Sequence, residues 1–317
     1  MEKKVAIIIL TCNQKKMLEE TLESLIKKMN YKNYKIFLVD NGSADRHDLM
    51  VKKEFPKVDI TRNKENLGFS KANNIGIKKA SKYYNPEYFL LMNDDMEVSD
   101  KDFLKKMIKV AEQDSKIGVV GCQQIYPDGT MQDVGGYFRK WNLTKILKFK
   151  QGEILDVDLF MGSCMLIKKE VIKKIGGLDE GFTPFLLEDS DYCLTAKKAG
   201  YLVKVVTDTK IIHKKSKTVN SFTNSKHMFV RFKNDIYFSI KHMTLKYALF
   251  RIFIYLPLVA VFRKKRDEER LSNLRNFAFR KEAINNIFLL IGAYFYSLTN
   301  IGKIKNKNYD KKNIKKN

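Results

Sequence analysis

Five short apolar runs, spaced so that helical segments fit between them, constrain this 317-residue chain more than any other feature. They are "VAIIIL" (5–10), "KIFLVD" (35–40), "VDITR" (58–62), "YFLLMND" (88–94) and "IGVVG" (117–121). Runs of that length without alternation read as strands buried on both faces, the pattern of a parallel sheet covered by helices. Between them, "KMLEETLESLIKKM" (16–29) sets Leu18, Leu22, Leu25 and Ile26 at helical spacing, and "FSKANNIGIKKASK" (69–82) predicts a second helix. Strand and helix in alternation give an α/β domain with a mostly parallel, Rossmann-like central sheet flanked by helices.

The pattern then loosens. A turn "YPDGT" (126–130), a strand "GSCMLIKK" (162–169), a turn "IGGLDEGF" (175–182), a helix from about 188 to 199 and strands near 202–206 and 209–213 are expected. After residue 215 strand signals vanish and aromatic, basic helical text takes over. A chain of this length can bury one large core or two modest ones. The division expected is a catalytic-sized domain at 1–215 and a helical extension at 216–317.

A formal net charge of +24 requires an anionic neighbourhood: a phosphorylated ligand, an anionic membrane surface or nucleic acid. Seven lysines against one aspartate in 301–317 put part of that excess in a tail, either solubilising or anchoring. Nucleic-acid binding rests on charge alone and is not expected. Cys12, Cys122, Cys164 and Cys193 form no C-x-x-C pair, so buried thiols in a reducing cytosol are the default. The apolar run near the start imitates an export signal, but it lasts only from Val5 to Cys12 and reads as a first strand.

In an open α/β sheet, ligands bind beyond the carboxyl ends of the strands. Those ends carry Thr11, Cys12 and Asn13; Asp40, Asn41, Gly42 and Ser43; and Asn93, Asp94 and Asp95. Neither G-x-x-x-x-G-K-[ST] nor G-x-G-x-x-G is present, which disfavours a P-loop NTPase or a dehydrogenase. An Asp at a strand end can accept from a base or ribose, and a carboxylate pair can hold a hard divalent cation that neutralises a diphosphate. Plainer readings stand beside these. Asp40 suits a helix N-cap or an Asx-turn, and Asp94 and Asp95 suit a polar turn before a helix capped at Ser99 or Asp100. Glu188, Asp189 and Asp191 suit the acidic first turn of a helix, where 188 and 191 share a face and 189 diverges. A lone His213 at a strand end reads as structural, and His47, His227 and His242 as surface or packing residues.

Taken in order, "TCNQKKMLEETLESL", "LVDNGSAD", "NKENLGFSKANNIGIKKA", "YFLLMNDDMEV", "FMGSCMLIKKEVIKKIGGLDEGF", "LLEDSDYCLTAKKAGY" and "IIH" resemble glycosyltransferase family 2, especially its bacterial rhamnosyltransferase-like members. The resemblance covers residues 4 to 215. It implies the GT-A fold and inverting transfer of a sugar from a nucleotide diphosphosugar, UDP- or dTDP-linked, to a hydroxyl of a growing cell-surface or lipid-linked glycan. Residue by residue, it implies that Thr11 and Asn13 lie along the nucleotide and that Asp40 contacts the base. Asn66, Gly68 and Asn73 frame the donor pocket. Asp95 ends the D-x-D motif and binds Mg²⁺ or Mn²⁺, Asn93 replaces the motif's first carboxylate, and Asp94 between them faces the donor. Asp189 matches the catalytic base, with Gly162, Glu188 and Asp191 on the acceptor side. His213 matches a histidine that joins the metal or the diphosphate. The alternative is a membrane-attached nucleotide-sugar binding protein without catalysis.

"LKYALFRIFIYLPLVAVFRKKR" (245–266) and "AINNIFLLIGAYFYSLTNIGK" (283–303) are apolar, aromatic and bordered by basic residues. Arg251 and Pro257 interrupt the first, and two asparagines and a glycine the second, against the ~20 apolar residues of a span. Interfacial helices on an anionic membrane, at the cytoplasmic face, are expected. Packing on the catalytic domain or a homodimer is the alternative.

Overall fold

The computed structural model describes residues 1–214, 224–264, 277–279 and 282–300. The chain divides into two compact units, Met1–Thr218 and Val219–Asn317. The first runs β1 (Val5–Thr11), α1 (Lys15–Lys28), β2 (Tyr34–Asp40), α2 (His47–Glu54), β3 (Asp59–Arg62), α3 (Phe69–Tyr83), β4 (Tyr88–Asn93), β5 (Met96–Val98) and α4 (Phe103–Ala111). It continues through β6 (Ile117–Ile125), β7 (Met131–Asp133), β8 (Gly136–Arg139), β9 (Asn142–Lys145), β10 (Ile154–Asp156), β11 (Cys164–Lys168), α5 (Lys169–Ile175), α6 (Glu188–Lys198) and β12 (Leu202–His213).

One sheet in the order β10-β12-β6-β11-β4-β1-β2-β3 spans the unit, with β5 added to β12 and β7 to β6. β4, β1, β2 and β3 run parallel, as expected, and β12 runs parallel to β6. β11 runs antiparallel between β4 and β6. The buried runs sort into two layers by the two-residue period of a strand. Val5, Ile7 and Ile9 of β1 face Leu18, Leu22 and Leu25 of α1, while Ala6 and Ile8 face Ala72, Ile77 and Ala80 of α3. Helices therefore cover both faces of the sheet.

Three local expectations are corrected. "VDITR" is not buried on both faces: β3 is the edge strand, paired only with β2, and its residues are partly exposed. The acidic turn after β4 leads first to β5, because Met96 and Val98 are buried against β12, and α4 begins only at Phe103 with Asp102 as its N-cap. Strands also recur after residue 215, where β13 (Phe262–Lys264) pairs with β14 (Phe277–Phe279). Among the cysteines, Cys122, Cys164 and Cys193 are buried and Cys12 is partly exposed; all four are free thiols.

The second unit holds α7 (Asn224–His242), then one continuous helix made of α8 (Leu245–Phe250), a π-helical turn (Arg251–Tyr255) and α9 (Leu256–Val261), and finally α10 (Ala283–Thr299). Phe232, Ile236, Ile252, Leu256, Ala260, Leu290 and Ala293 form its small core. The seventeen residues of the tail lie outside the described segments, and so does the segment linking the two units. Among the described residues no helix is long and apolar enough to cross a membrane.

Candidate active site

Strand register builds the rim of the site. Parallel pairing sets Thr11 beside Asp40 and Leu10 beside Asn93, so the polar residues that follow emerge together at one edge of the sheet. The loops after β1 and β2 then tie to each other: Asn13 N–H donates to Ser43 Oγ at 2.9 Å, and Ala44 N–H donates to Asn13 Oδ1 at 2.7 Å. Asn13 sits in the left-handed region, at φ 55°.

Asp40 is buried and engaged within the protein. Its Oδ1 accepts from Ser43 N–H at 2.9 Å, the Asx-turn of the plainer reading, while its Oδ2 lies 3.3 Å from Arg62 Nε and 3.6 Å from His47 Nε2. Neither neighbour is evident from the sequence. The signal for Arg62 is its register: β3 pairs with β2 so that Arg62 stands beside Asp40. Of the two readings of His47, surface or packing, it is the second that holds: the residue is buried in α2, with Nδ1 2.6 Å from Asp45.

Asn66, Gly68 and Asn73 fall in one segment with distinct tasks. Asn66 Oδ1 accepts from Asn41 Nδ2 and from Gly68 N–H, both at 2.9 Å. Gly68 is the N-cap of α3, and the next N–H, that of Phe69, donates to Pro184 O at 2.7 Å, docking the loop that precedes α6. Asn73 is buried and donates to Phe69 O within its own helix. Its neighbour Asn74 instead reaches across the fold, donating to Leu178 O and Glu180 Oε1.

At the end of β4, Asp94 and Asp95 are both buried. Burial, reinforced by the Asp95 charge and opposed by the Thr11 hydroxyl, pushes the Asp94 carboxyl up to about 7. Antiparallel pairing sets His213 beside Met96, one residue past Asp95, and His213 Nε2 comes to 3.3 Å from Asp95 Oδ1. On the other side of the ring, Gln132 Oε1 lies 3.1 Å from His213 Nδ1. A proton or a cation satisfies the pair of His213 and Asp95. Their separation also fits neighbouring ligands on one octahedral ion, roughly 3 Å apart for bonds near 2.1 Å. Carboxylate with imidazole is a donor set that suits Mn²⁺ and, through the oxygen, Mg²⁺. Among the described residues no third His, Cys, Asp or Glu joins them, so oxygens of a bound ligand would have to complete the shell.

The antiparallel β11 brings its beginning to this same rim. Asn93 N–H donates to Ser163 O at 3.1 Å, and one residue earlier Gly162 N–H donates to Asp189 Oδ2 at 2.9 Å. Ser190 N–H donates to Asp189 Oδ1 at 2.6 Å. A Cβ on Gly162 would lie 2.7 Å from the Cβ of Asp189, so only glycine allows this approach. The acidic cluster separates as its helical spacing requires: Glu188 and Asp191 are buried, and Asp189 is partly exposed. Burial raises Asp189 above the usual carboxylate range, with Asp133 adding to the rise and the Gly162 and Ser190 N–H groups opposing it. Glu188 is raised well above its usual range by burial and by Asp189, and its Oε2 has no hydrogen-bond partner among the described residues. Asp133, whose role the sequence leaves open, accepts from Met161 N–H at 2.9 Å and so holds the strand entry that carries Gly162.

Comparison with known proteins decides the family, because residues 6–176 match Glycosyl transferase family 2. The chain belongs to that family. The O-antigen biosynthesis protein RfbC of Myxococcus xanthus is 26% identical over 227 residues, covering 67% of this chain and 17% of that protein. The N-acetylglucosaminyl-diphospho-decaprenol L-rhamnosyltransferase of Mycobacterium tuberculosis is 23% identical over 206 residues, covering 57% of this chain and 66% of that protein. A mannosyltransferase of Pyrobaculum calidifontis, solved with GDP-Man and Mn²⁺, superposes with a TM-score of 0.57 at 14% identity, over 94% of this chain and 76% of that one. The fold is therefore the GT-A glycosyltransferase fold, with a helical region at its carboxyl end. The chain spans only about a fifth of the length of the first curated relatives it resembles, 23% and 17%.

Proposed function

We propose that this family 2 chain is an inverting glycosyltransferase that moves a sugar from a UDP- or dTDP-linked donor to a hydroxyl of a growing cell-surface glycan. The observation that carries this reading is Asp189. It is the one acid of its cluster that is not fully buried, and two backbone N–H groups hold its carboxylate, one of them from Gly162, next to the residue that accepts from Asn93 of β4.

In this reading Asp189 takes the proton from the acceptor hydroxyl as that oxygen attacks the anomeric carbon. The new carbon–oxygen bond forms on the face opposite the breaking bond to the diphosphate, which inverts the configuration. The raised basicity of Asp189 matches the task, since a base works best when its pKa lies near the operating pH. Thr11, Asn13 and Asp40 line the nucleotide side. Asn93 and Asp94 face the donor sugar and diphosphate, and Asn66, Gly68 and Asn73 shape the wall behind them. Gly162, Glu188 and Asp191 belong to the acceptor side. Asp95 and His213 would hold Mg²⁺ or Mn²⁺, which when bound neutralises the diphosphate leaving group. The relatives act in O-antigen assembly and on a decaprenol-linked glycan by their names, which supports an envelope polysaccharide or lipid-linked glycan as acceptor. Such an acceptor would set the enzyme at the cytoplasmic face of the cell membrane.

The test is a panel of nucleotide sugars assayed for metal-dependent hydrolysis and for transfer. Turnover of a UDP- or dTDP-sugar that a chelator abolishes and Mn²⁺ restores is expected. Tight donor binding without turnover for any donor and acceptor pair would instead favour the non-catalytic binding protein.

A further inference from the structure

The second unit has the polarity of a soluble helical bundle turned partly inside out. It buries ions and amides: Arg251 Nε donates to Asp235 Oδ1 at 3.0 Å, and Asn234 and Asn286 are buried too, Asn286 Nδ2 donating to Ala260 O. Its outer surface carries many large apolar side chains. Along the α8–α9 helix Leu245 is 75% exposed, Leu249 and Phe253 follow it at intervals of four, and Leu258 is exposed further along. Along α10 Ile284, Phe288, Ile291 and Phe295 form a stripe at intervals of four, three and four residues, with Phe288 67% and Phe295 66% exposed. Water-exposed stripes of large side chains on two neighbouring helices are not the ordinary scatter of surface apolar residues, and they mark an interaction surface.

Charge decides between occupants. The segment 263–281, between the two stripes, carries eight basic and three acidic residues, and 301–317, after the second, carries seven lysines and one aspartate. A second copy of this chain, itself at a formal +24, would bring like charges together. A surface of anionic lipid headgroups complements them, at about 1 kcal/mol per basic residue near the surface. Among the described residues no helix is long and apolar enough to cross a membrane, and the seventeen described residues of α10 rise about 26 Å. Helices of this kind lie in the plane of the interface with their apolar face in the acyl boundary. The inward Arg251–Asp235 pair follows the same rule, since ionisable groups near lipid turn to the protein interior and pair.

We infer that the exposed faces of α8–α9 and α10 form one bilayer-docking surface, seated in the plane of an anionic membrane. The inference rests on the proposed function only for its purpose, which is to bring the site to a lipid-linked acceptor.

The test uses the full chain in sedimentation with vesicles of phosphatidylcholine alone and with about a third phosphatidylglycerol. Wild type should partition at least tenfold better onto the anionic vesicles, and should be released by molar salt only in part. The double variant Phe288→Glu/Phe295→Glu should lose at least tenfold in partitioning while keeping its helical circular dichroism, because both side chains point to solvent in the free protein. Wild type that ignores both vesicles overturns the inference, as does a folded variant that binds as well as wild type. A dimer in solution that the same variant dissolves, with no vesicle binding, replaces it with a second copy as occupant. Donor binding measured on the same samples separates the two proposals: vesicle binding without donor affinity removes the glycosyltransferase reading and leaves the docking surface standing.

Discussion

Gly162→Ala is a substitution far smaller than the effect expected of it. The added carbon would stand 2.7 Å from Asp189 Cβ, so the two must separate by roughly 0.8 to 1.3 Å to reach ordinary carbon contact at 3.5–4.0 Å. Neither side can yield freely. Gly162 is fixed by its place at the entry of β11, and Asp189 is fixed through both carboxylate oxygens. Overpacking of this kind costs about 1–3 kcal/mol of stability, a fall of several degrees in melting temperature for a domain of this size. Displacing a catalytic group by about 1 Å can cost on the order of 10² in rate. The assay is kcat for transfer, set beside donor Kd and thermal melting. The expected result is a loss near a hundredfold in kcat with donor Kd nearly unchanged. Gly118→Ala serves as the control, because its added carbon would meet Val171 Cγ2 at 2.6 Å within the core. It should lower melting by as much or more and leave kcat per folded molecule near wild type. Full transfer by Gly162→Ala, with an unaltered pH profile, would refute the reasoning that this contact sets the base.

Three further outcomes follow from the same geometry. Glu188 has its folded pKa raised, so the wild type loses stability as pH rises from the usual carboxylate value toward the folded one, by about 1.4 kcal/mol per pH unit in that window. Glu188→Gln should therefore melt with wild type at pH 4 and above it at pH 8; the reverse order would contradict the burial of an unpartnered carboxyl. Since burial also raises Asp189, the acid limb of kcat/KM should lie above the usual carboxylate range, with activity rising as pH increases through it; a limb at or below pH 4 would exclude Asp189 as the titrating base. His213→Ala should raise the Mn²⁺ concentration needed for half-maximal transfer by on the order of tenfold or more, while donor-free protein should bind Mn²⁺ weakly, because among the described residues no third His, Cys, Asp or Glu joins Asp95 and His213. An unchanged metal requirement would remove His213 from the site.

The parallel half of the sheet was legible because its runs are buried on both faces, and the same fact placed Thr11, Asp40 and Asn93 on one rim. Asp95 and His213 could be named from their motifs, but their meeting depends on β5 pairing with β12, a three-residue strand with no periodicity to read. Likewise the contact of Gly162 with Asp189 depends on β11 running antiparallel, which a run of apolar residues does not announce. The helix α2 escaped notice because it buries only His47, Met50 and Val51 in eight residues, too few to show a stripe. Arg62 and His47 escaped for a related reason: a charged residue on an edge strand and a histidine in a polar segment look like surface until the register sets both against Asp40. Arg251 was read as a break in an apolar segment, yet it turns inward to Asp235, and it is the leucines and phenylalanines around it that face water.

The central claim, that Asp189 is the base of a sugar transfer, is tested most directly by Asp189→Asn. The amide keeps the volume and cannot accept the acceptor's proton. Donor affinity by calorimetry and transfer rate with saturating Mn²⁺ should be measured on the same preparation. The account predicts donor Kd within a few-fold of wild type and a transfer rate lower by about 10²–10⁴. A variant that binds donor and transfers sugar at the wild-type rate would contradict it.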